Sequence, residues 1–345
     1  MQDRCLIAAA LLLAAACAKT EAPPAAGATV TVLIGHAGPL TGSIAHQGKD
    51  DENGVALALD QANAKHLVIG GRPAVFRMLS EDDQGDPKIG TTVAQKLVDA
   101  HVAAVIGHLN SGVTIPASEI YAKAGIPVIT GSATNPMLTE RGMKNVFRTI
   151  GRDDQQGPAI AAYIANELKA RTVALVDDKT AYGEGLAAEV EKALRAKGVA
   201  IVARELGVKA QFAFGDGACT DEMAALAGTA GEGLACSQAG LPAASATQSF
   251  RGAFIPRYGE TKLYAPFFYD AANVVIEAMR RADSTDPAKF VAEIYRTNLD
   301  GATGHIEFDA KGDRKDAEMT IFRMRGGKIV PVAVVKGGVL APFGT

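Results

Sequence analysis

Two short stretches carry hydroxyl groups where a ligand's charged end could be held. Leu109-Asn110-Ser111-Gly112-Val113-Thr114 follows the apolar run VAAVIGH, and Gly131-Ser132-Ala133-Thr134-Asn135-Pro136 ends the run IPVITG. The first leads into a helical stretch whose opening N–H groups have no intrahelical partner, so a carboxylate suits the spot. Ser111 or Thr114 could equally be a plain helix N-cap, and it is the second hydroxyl-rich loop beside the first that favours binding. Asp216 in FGDGAC is a lone acid between glycines that permit close approach. It would answer an ammonium, or else close an Asx-turn. Tyr182, opening YGEGLA after VDDK, could fold over such a ligand or pack at an edge. The chemistry implied is the holding of a small dipolar molecule.

Groups that would transform a ligand are missing. The chain has no GxSxG, HExxH or Walker A motif, and no GxGxxG after its first expected strand. Six histidines, His36, His46, His66, His101, His108 and His305, are scattered without metal-ligand spacing. His36 and His108 close strands and read as structural groups. Neither enzyme activity, a cofactor nor a metal is expected.

In open parallel sheets ligands sit outside the carboxyl ends of the strands, and the pattern from Thr29 onward supplies such sheets. Strands are expected at Thr29–His36, Ala74–Asp82, Val102–His108 and Ile126–Gly131. They alternate with helices at about Gly48–Lys65, Lys88–Ala100 and Ile115–Ala124. Repeated βα units make a parallel sheet covered on both faces. A second series follows: helix Pro158–Lys169, strand Arg171–Asp178, helix Gly183–Ala196 and strand Val199–Arg204. Helices at Ala265–Ala282 and Ala288–Arg296 then precede a hairpin, TIFRMRGGKIVPVAVV, turning on Gly326 and Gly327. The fold class expected is α/β, with two doubly wound parallel-sheet lobes, 29–150 with 253–314 and 151–252 with 315–345.

A chain of 345 residues, 48% hydrophobic and without tryptophan, is long enough for two cores. A net charge of −3 with no block of lysine or arginine argues against nucleic acid. At the N-terminus Arg4 precedes an apolar run, Leu6–Ala16, too short to span a bilayer. Residues 1–16 therefore read as a secretory signal. Cys17 stands where a lipobox places its lipidated cysteine, the alternative being plain cleavage after Ala16. The Ala/Pro-rich stretch 17–28 reads as a tether, and the protein is expected in the periplasm or cell envelope. Cys219 and Cys236 remain as an even pair, expected to form a disulfide, with two buried thiols as the alternative.

HAGPLTG (36–42), EDDQGDP (81–87), IGHLNSGVTIPASEIY (106–121), GIPVITGSATNP (125–136), FRTIGRDDQQGP (147–158) and YGEGLA (182–187) together carry a family likeness. The chain strongly resembles the periplasmic Leu/Ile/Val-binding proteins of ABC importers, from Thr29 to about Arg204 and again from Gln211 to near its end. The resemblance implies a type I periplasmic-binding fold: two lobes, three hinge crossings and a cleft that closes on its ligand. It also implies a monomer that captures amino acids, above all Leu, Ile or Val, and delivers them to a membrane permease. The alternatives are a sensor on the same fold or a copy that no longer binds.

By the same resemblance Ser111 and Thr134 supply the hydroxyls holding the ligand's charged ends. Leu109, Asn110, Ser132 and Ala133 complete the first-lobe wall, with backbone groups at Ser132. Tyr182 and Asp216 are the second-lobe contacts, Asp216 facing the ammonium, and His46 and Tyr264 wall the side-chain pocket. Two departures stand out. Gln84 or Gly85 and Asn110 occupy the positions of a family disulfide. VARELGVKAQF runs directly from one matched segment to the next where the family continues through further helices and a strand. A β-α-β unit of about 30 residues or more is therefore missing, and a shortened second lobe with a bared sheet edge is expected.

Overall fold

The computed structural model describes residues 27–201 and 211–344. The expected signal, Cys17, most of the tether and the last residues of the strand expected at Val199–Arg204 lie outside them. Val30–Gly38 (β1) leads to Ala45–Ala64 (α1), and Val68–Ile69 (β2) turns into Arg72–Asp82 (β3) through Gly70 and Gly71, both at positive φ. Pro87–Asp99 (α2) is capped by the Asp86 carboxylate, which accepts from the amides of Lys88 (2.7 Å) and Ile89 (3.1 Å). Ala104–Gly107 (β4), Ser111–Lys123 (α3), Val128–Thr130 (β5), Met137–Glu140 (α4) and Val146–Arg148 (β6) complete the first series. The strand order is β2-β3-β1-β4-β5-β6, with β2 antiparallel to β3 and the remaining neighbours parallel.

The second series runs Asp153–Asn166 (α5), Thr172–Val173 (β7), Ala181–Ala196 (α6), Ala200–Ile201 (β8), Ala213–Phe214 (β9), Asp221–Ala227 (α7) and Ala235–Gln238 (β10). Gln248–Tyr258 (α8), Ala265–Ala282 (α9) and Pro287–Ile294 (α10) return to the first sheet, followed by Leu299–Gly301 (β11) and Gly304–Ile306 (β12). α9 is apolar on its inner face, and Phe267, Phe268, Ala271, Val275 and Met279 bury it against α1 and the sheet residues Ile34, Phe76 and Ile129. The sheet's other face carries Val93 and Leu97 of α2 and Ala117 and Tyr121 of α3. Met319–Arg325 (β13), Lys328–Lys336 (β14) and Val339–Pro342 (β15) finish the second sheet, ordered β15-β14-β13-β10-β9. Gly326 and Gly327 make the β13–β14 turn at φ +58° and +76°. Only the β9–β10 pair of this sheet is parallel, while β7 and β8 form a separate parallel pair.

The chain thus passes between the sheets after β6, after β10 and after β12. The first and third crossings are tied by the buried guanidinium of Arg148, whose Nε donates to Asp313 Oδ1 (2.6 Å), and by Arg152 Nη1, which donates to Asp313 Oδ2 (2.6 Å).

Three local expectations are corrected. The helix expected from Ile115 begins at Ser111, so the N-cap is Asn110, and Ser111 and Thr114 lie within the first turn. The helix expected from Pro158 begins at Asp153, with Asp153 and Asp154 favourably placed against the helix dipole and Pro158 inside the helix. The strand expected over Arg171–Asp178 is reduced to Thr172–Val173, because among the described residues it has a neighbour on one side only. The sulfurs of Cys219 and Cys236 are bonded, joining the segment after β9 to β10 and packing on Phe322. Among the described residues no helix is long and apolar enough to cross a membrane.

Candidate functional site

The carboxyl ends of β4 and β5 face the second sheet across a cavity of about 1550 Å³. β4 ends at Gly107, which takes φ +151° and packs so closely on the Ala37 carbonyl that a Cβ would not fit. His108 then plunges into the core, with Nδ1 2.7 Å from Asp83 Oδ2 and Nε2 3.0 Å from the Tyr121 hydroxyl. This anchors the loop before α3. The neighbouring loop is clipped to it: Ser132 Oγ donates to Leu109 O (2.8 Å), and Thr130 Oγ1 donates to His108 O (2.8 Å) while accepting from the amides of Ser132 (3.2 Å) and Ala133 (3.1 Å). Asn135 N donates to Ser111 Oγ (3.3 Å).

This wall presents unsatisfied groups. Asn110 makes no side-chain cap bond, and the amides of Ser111 and Gly112 make no hydrogen bond among the described residues. Thr134 Oγ1 and Asn110 Oδ1 are buried without a partner there. Buried polar atoms are paired in the great majority of cases, so their clustering at one helix N-terminus marks a place prepared for a polar ligand.

On the facing side Thr180 caps α6 by accepting from Gly183 N (2.9 Å), which places Tyr182 in the first turn. The Tyr182 hydroxyl donates to Asp216 Oδ1, and the ring fills the space that a Cβ on Gly215 would need. Asp216 Oδ2, both carboxylate oxygens of Asp153 and Gln156 Oε1 are buried without partners among the described residues. Burial holds Asp216 above its ordinary range, offset only in part by the hydroxyls of Tyr182 and Tyr264. Burial, and next the Asp216 charge, push Asp153 up to about 8. Two carboxyl groups that resist ionising side by side are stabilised by an incoming cation.

Tyr264 opens α9 and is fixed by Asp50 of α1, whose carboxylate accepts from the amides of Lys262 (2.9 Å), Leu263 (3.1 Å) and Ala265 (3.0 Å). The two sides touch directly: Asn135 Nδ2 donates to Ala181 O (2.6 Å), and Lys262 Nζ lies 3.4 Å from Glu222 Oε1. The cleft is therefore described in a shut arrangement.

Leu109, Asn110, Ser111, Ser132, Tyr182, Asp216 and Tyr264 all line the one cavity. Ala133 and Thr134 are fully buried in the same loop. His46 instead lies 3.7 Å from Glu222 Oε2, and Ile44 and Gln47 of its turn line the cavity. The Ser132 amide is taken by Thr130. Asn110 sits beside Gly85. Asp153 and Gln156 were missed, although DDQQ directly after a crossing was a signal for the start of a helix that carries acids at its tip.

The family described as "Periplasmic binding protein" matches residues 31–206 and 202–328. The chain belongs to the periplasmic binding protein family. Among its relatives, this binding protein is 34% identical over 349 residues to Leu/Ile/Val-binding protein homolog 2 of Brucella abortus, covering 86% of this chain and 91% of that one. It is 32% identical over 340 residues to the leucine-, isoleucine-, valine-, threonine-, and alanine-binding protein of Pseudomonas aeruginosa, covering 85% and 89%. Its fold superimposes on a leucine-binding protein from Thermotoga maritima with TM-score 0.78 at 24% identity, covering 89% and 99%. It also superimposes on an ABC transporter substrate-binding protein from Desulfitobacterium hafniense in complex with Leu, with TM-score 0.72 at 26% identity, covering 88% and 100%. These neighbours give the binding protein the type I periplasmic-binding fold. The family match breaks into two stretches that meet at residues 202–206. Because 86% of this chain spreads over 349 aligned positions of the Brucella relative, about 50 of those positions have no residue here.

Proposed function

We propose that this protein captures a free amino acid in the interlobe cleft and presents it, lobes closed, to the permease of an ABC importer. One observation carries the reading: the same cavity has unpaired amides at the α3 N-terminus on one side and the buried carboxyl group of Asp216 on the other. A zwitterion satisfies both, its carboxylate at the helix and its ammonium at the acid. Ser111 and Thr134 would hold the charged ends, with Leu109, Asn110, Ser132 and Ala133 as the wall and Tyr182 and Tyr264 closing over. Leu, Ile and Val are the favoured ligands, since the two relatives named above carry those names and the cavity is lined by Leu109 and Ile44. The lobes would be 29–150 with 253–314 and 151–252 with 315–345. Export by residues 1–16, anchoring at Cys17, a monomeric state and the absence of catalysis complete the proposal.

The test is a thermal-unfolding scan of the chain from Ala18 with a panel of amino acids. Ligand at 100 times its dissociation constant adds about 2.7 kcal/mol, so Leu, Ile or Val should raise the midpoint and succinate should not. A cooperative transition that none of the amino acids moves would sink the assignment.

A further inference from the structure

The first-lobe wall of the cleft is not uniformly apolar. Gln47 is 4% exposed and lines the cavity, and its carboxamide makes no hydrogen bond among the described residues. Ile44, at the N-cap of α1, stands one turn before it and Asp50 one turn after. Asp50 holds the amides on either side of Tyr264. Since Ile44 and Tyr264 line the same cavity, Gln47 sits between them along the wall. Asn110 closes the other flank of Ile44: a Cβ on Gly85 would stand 3.5 Å from Ile44 Cδ1 and 3.3 Å from Asn110 Oδ1. That oxygen is buried without a partner among the described residues. Two carboxamides with unmet hydrogen-bonding capacity thus flank one apolar side chain.

With the ligand's carboxylate at the α3 N-terminus and its ammonium beside Asp216, the third substituent on its Cα is left with this stretch of wall. The Asn110 acceptor needs a donor, which a carboxylate lacks, and the ammonium is drawn to the opposite lobe. A purely alkyl side chain would bury both carboxamides unpaired, and leaving a buried polar group unpaired costs more than one made bond gains. A hydroxyl both donates and accepts, so it meets a carboxamide in either of its two orientations. A methyl group on the same carbon would meet Ile44.

We propose that Gln47 is a specificity-determining residue that makes the cleft favour a hydroxyl-bearing side chain, so that threonine binds more tightly than its isostere valine. The inference rests on the amino-acid reading and orders one pair within it: Ile44 and Leu109 set the alkyl size that is accepted, and Gln47 sets the polarity.

The test is titration calorimetry with threonine, valine, alanine and leucine on the parent and on Gln47→Met, which keeps the length of the side chain and its helix propensity. The parent should bind threonine roughly tenfold more tightly than valine. Gln47→Met should cost threonine about that factor, leave valine equal or tighter, and leave the unliganded melting temperature in place. Gln47→Leu serves as a second apolar variant, and the parent's own ratio is decisive even if both variants fold poorly. Valine binding the parent as tightly as threonine would overturn the proposal. So would a loss in Gln47→Met shared equally by threonine, valine and alanine, which would put the amide on the common ammonium instead. Leucine and valine bound tightly with threonine weaker defeats this inference alone, whereas no heat with any of the four amino acids defeats the amino-acid reading and this inference with it.

Discussion

Arg148 Nε lies 2.6 Å from Asp313 Oδ1, both side chains are shut away from solvent, and the two residues belong to different crossings between the lobes. The same guanidinium donates through Nη1 to the carbonyls of Ala133 (2.8 Å) and Asn135 (3.1 Å) and through Nη2 to Thr139 Oγ1 (2.9 Å). Removing one partner of a buried pair strands the other charge and costs about 3–5 kcal/mol. Asp313→Ala should therefore lower stability by that amount in urea unfolding. A loss under about 1 kcal/mol would show that the pair behaves as a surface ion pair.

Asp153 gives a pH dependence with a defined sign. Its carboxyl titrates near 3.8 when unperturbed and at about 8 in the fold. Between those values the unfolded chain has released a proton that the folded chain keeps, so the folded state loses stability as pH rises across the window. Asp153→Asn should be more stable than the parent, by a margin that grows from pH 4 to pH 8.

Ligand affinity should run the other way. On the proposed reading an ammonium arriving beside Asp216 favours ionisation of that carboxyl and of the Asp153 carboxyl coupled to it, so binding releases protons and tightens with rising pH until about pH 8, by at most about tenfold per unit for one proton. Titration calorimetry in buffers of different ionisation enthalpy counts the protons. A count of zero at pH 6.5 would remove the acids from ammonium recognition.

Asp216→Asn separates binding from folding. It takes away the acceptor of the Tyr182 hydroxyl and the acid proposed to meet the ligand's ammonium, which should cost ligand affinity about 2–5 kcal/mol, a factor of thirty to several thousand. It also removes a carboxylate that burial disfavours, so the unliganded melting temperature should hold or rise. A fall in that temperature would mean that the acid serves the fold.

The disulfide closes a sequence separation of 17 residues, for which the loop-entropy relation gives about 3 kcal/mol. Replacing both Cys219 and Cys236 by serine should lower stability by about that much, with the loss confined to the second lobe in hydrogen exchange.

The parts of the fold that were legible are those whose evidence is local. Ala265–Ala282 was read with its bounds, because its apolar face repeats through the whole helix and Asp283 ends it in the left-handed region. The hairpin on Gly326 and Gly327 was equally plain. Thr172–Val173 shrank from the expected strand because strand length depends on neighbours, which the pattern of one segment does not contain. His46 was placed in the pocket by resemblance, whereas the geometry of its helical turn sends Gln47 there. Asp153 escaped notice because an acid beside Asp154 reads as a solvated helix tip; only tertiary packing, with its amide donating to Thr134 O of the first lobe (3.0 Å) and Asp216 of its own lobe close by, makes it a buried group.

The chain has no tryptophan and 7 tyrosines, and two of those, Tyr182 and Tyr264, flank Asp216 from opposite lobes. Tyr264 is carried by the first lobe through Asp50, and Tyr182 by the second through α6. A phenol beside a carboxylate emits weakly and absorbs to the red of a free one, and on the proposed reading lobe opening pulls Tyr264 away from Asp216. The protein therefore holds its own optical gauge of closure, readable in tyrosine emission without any attached dye.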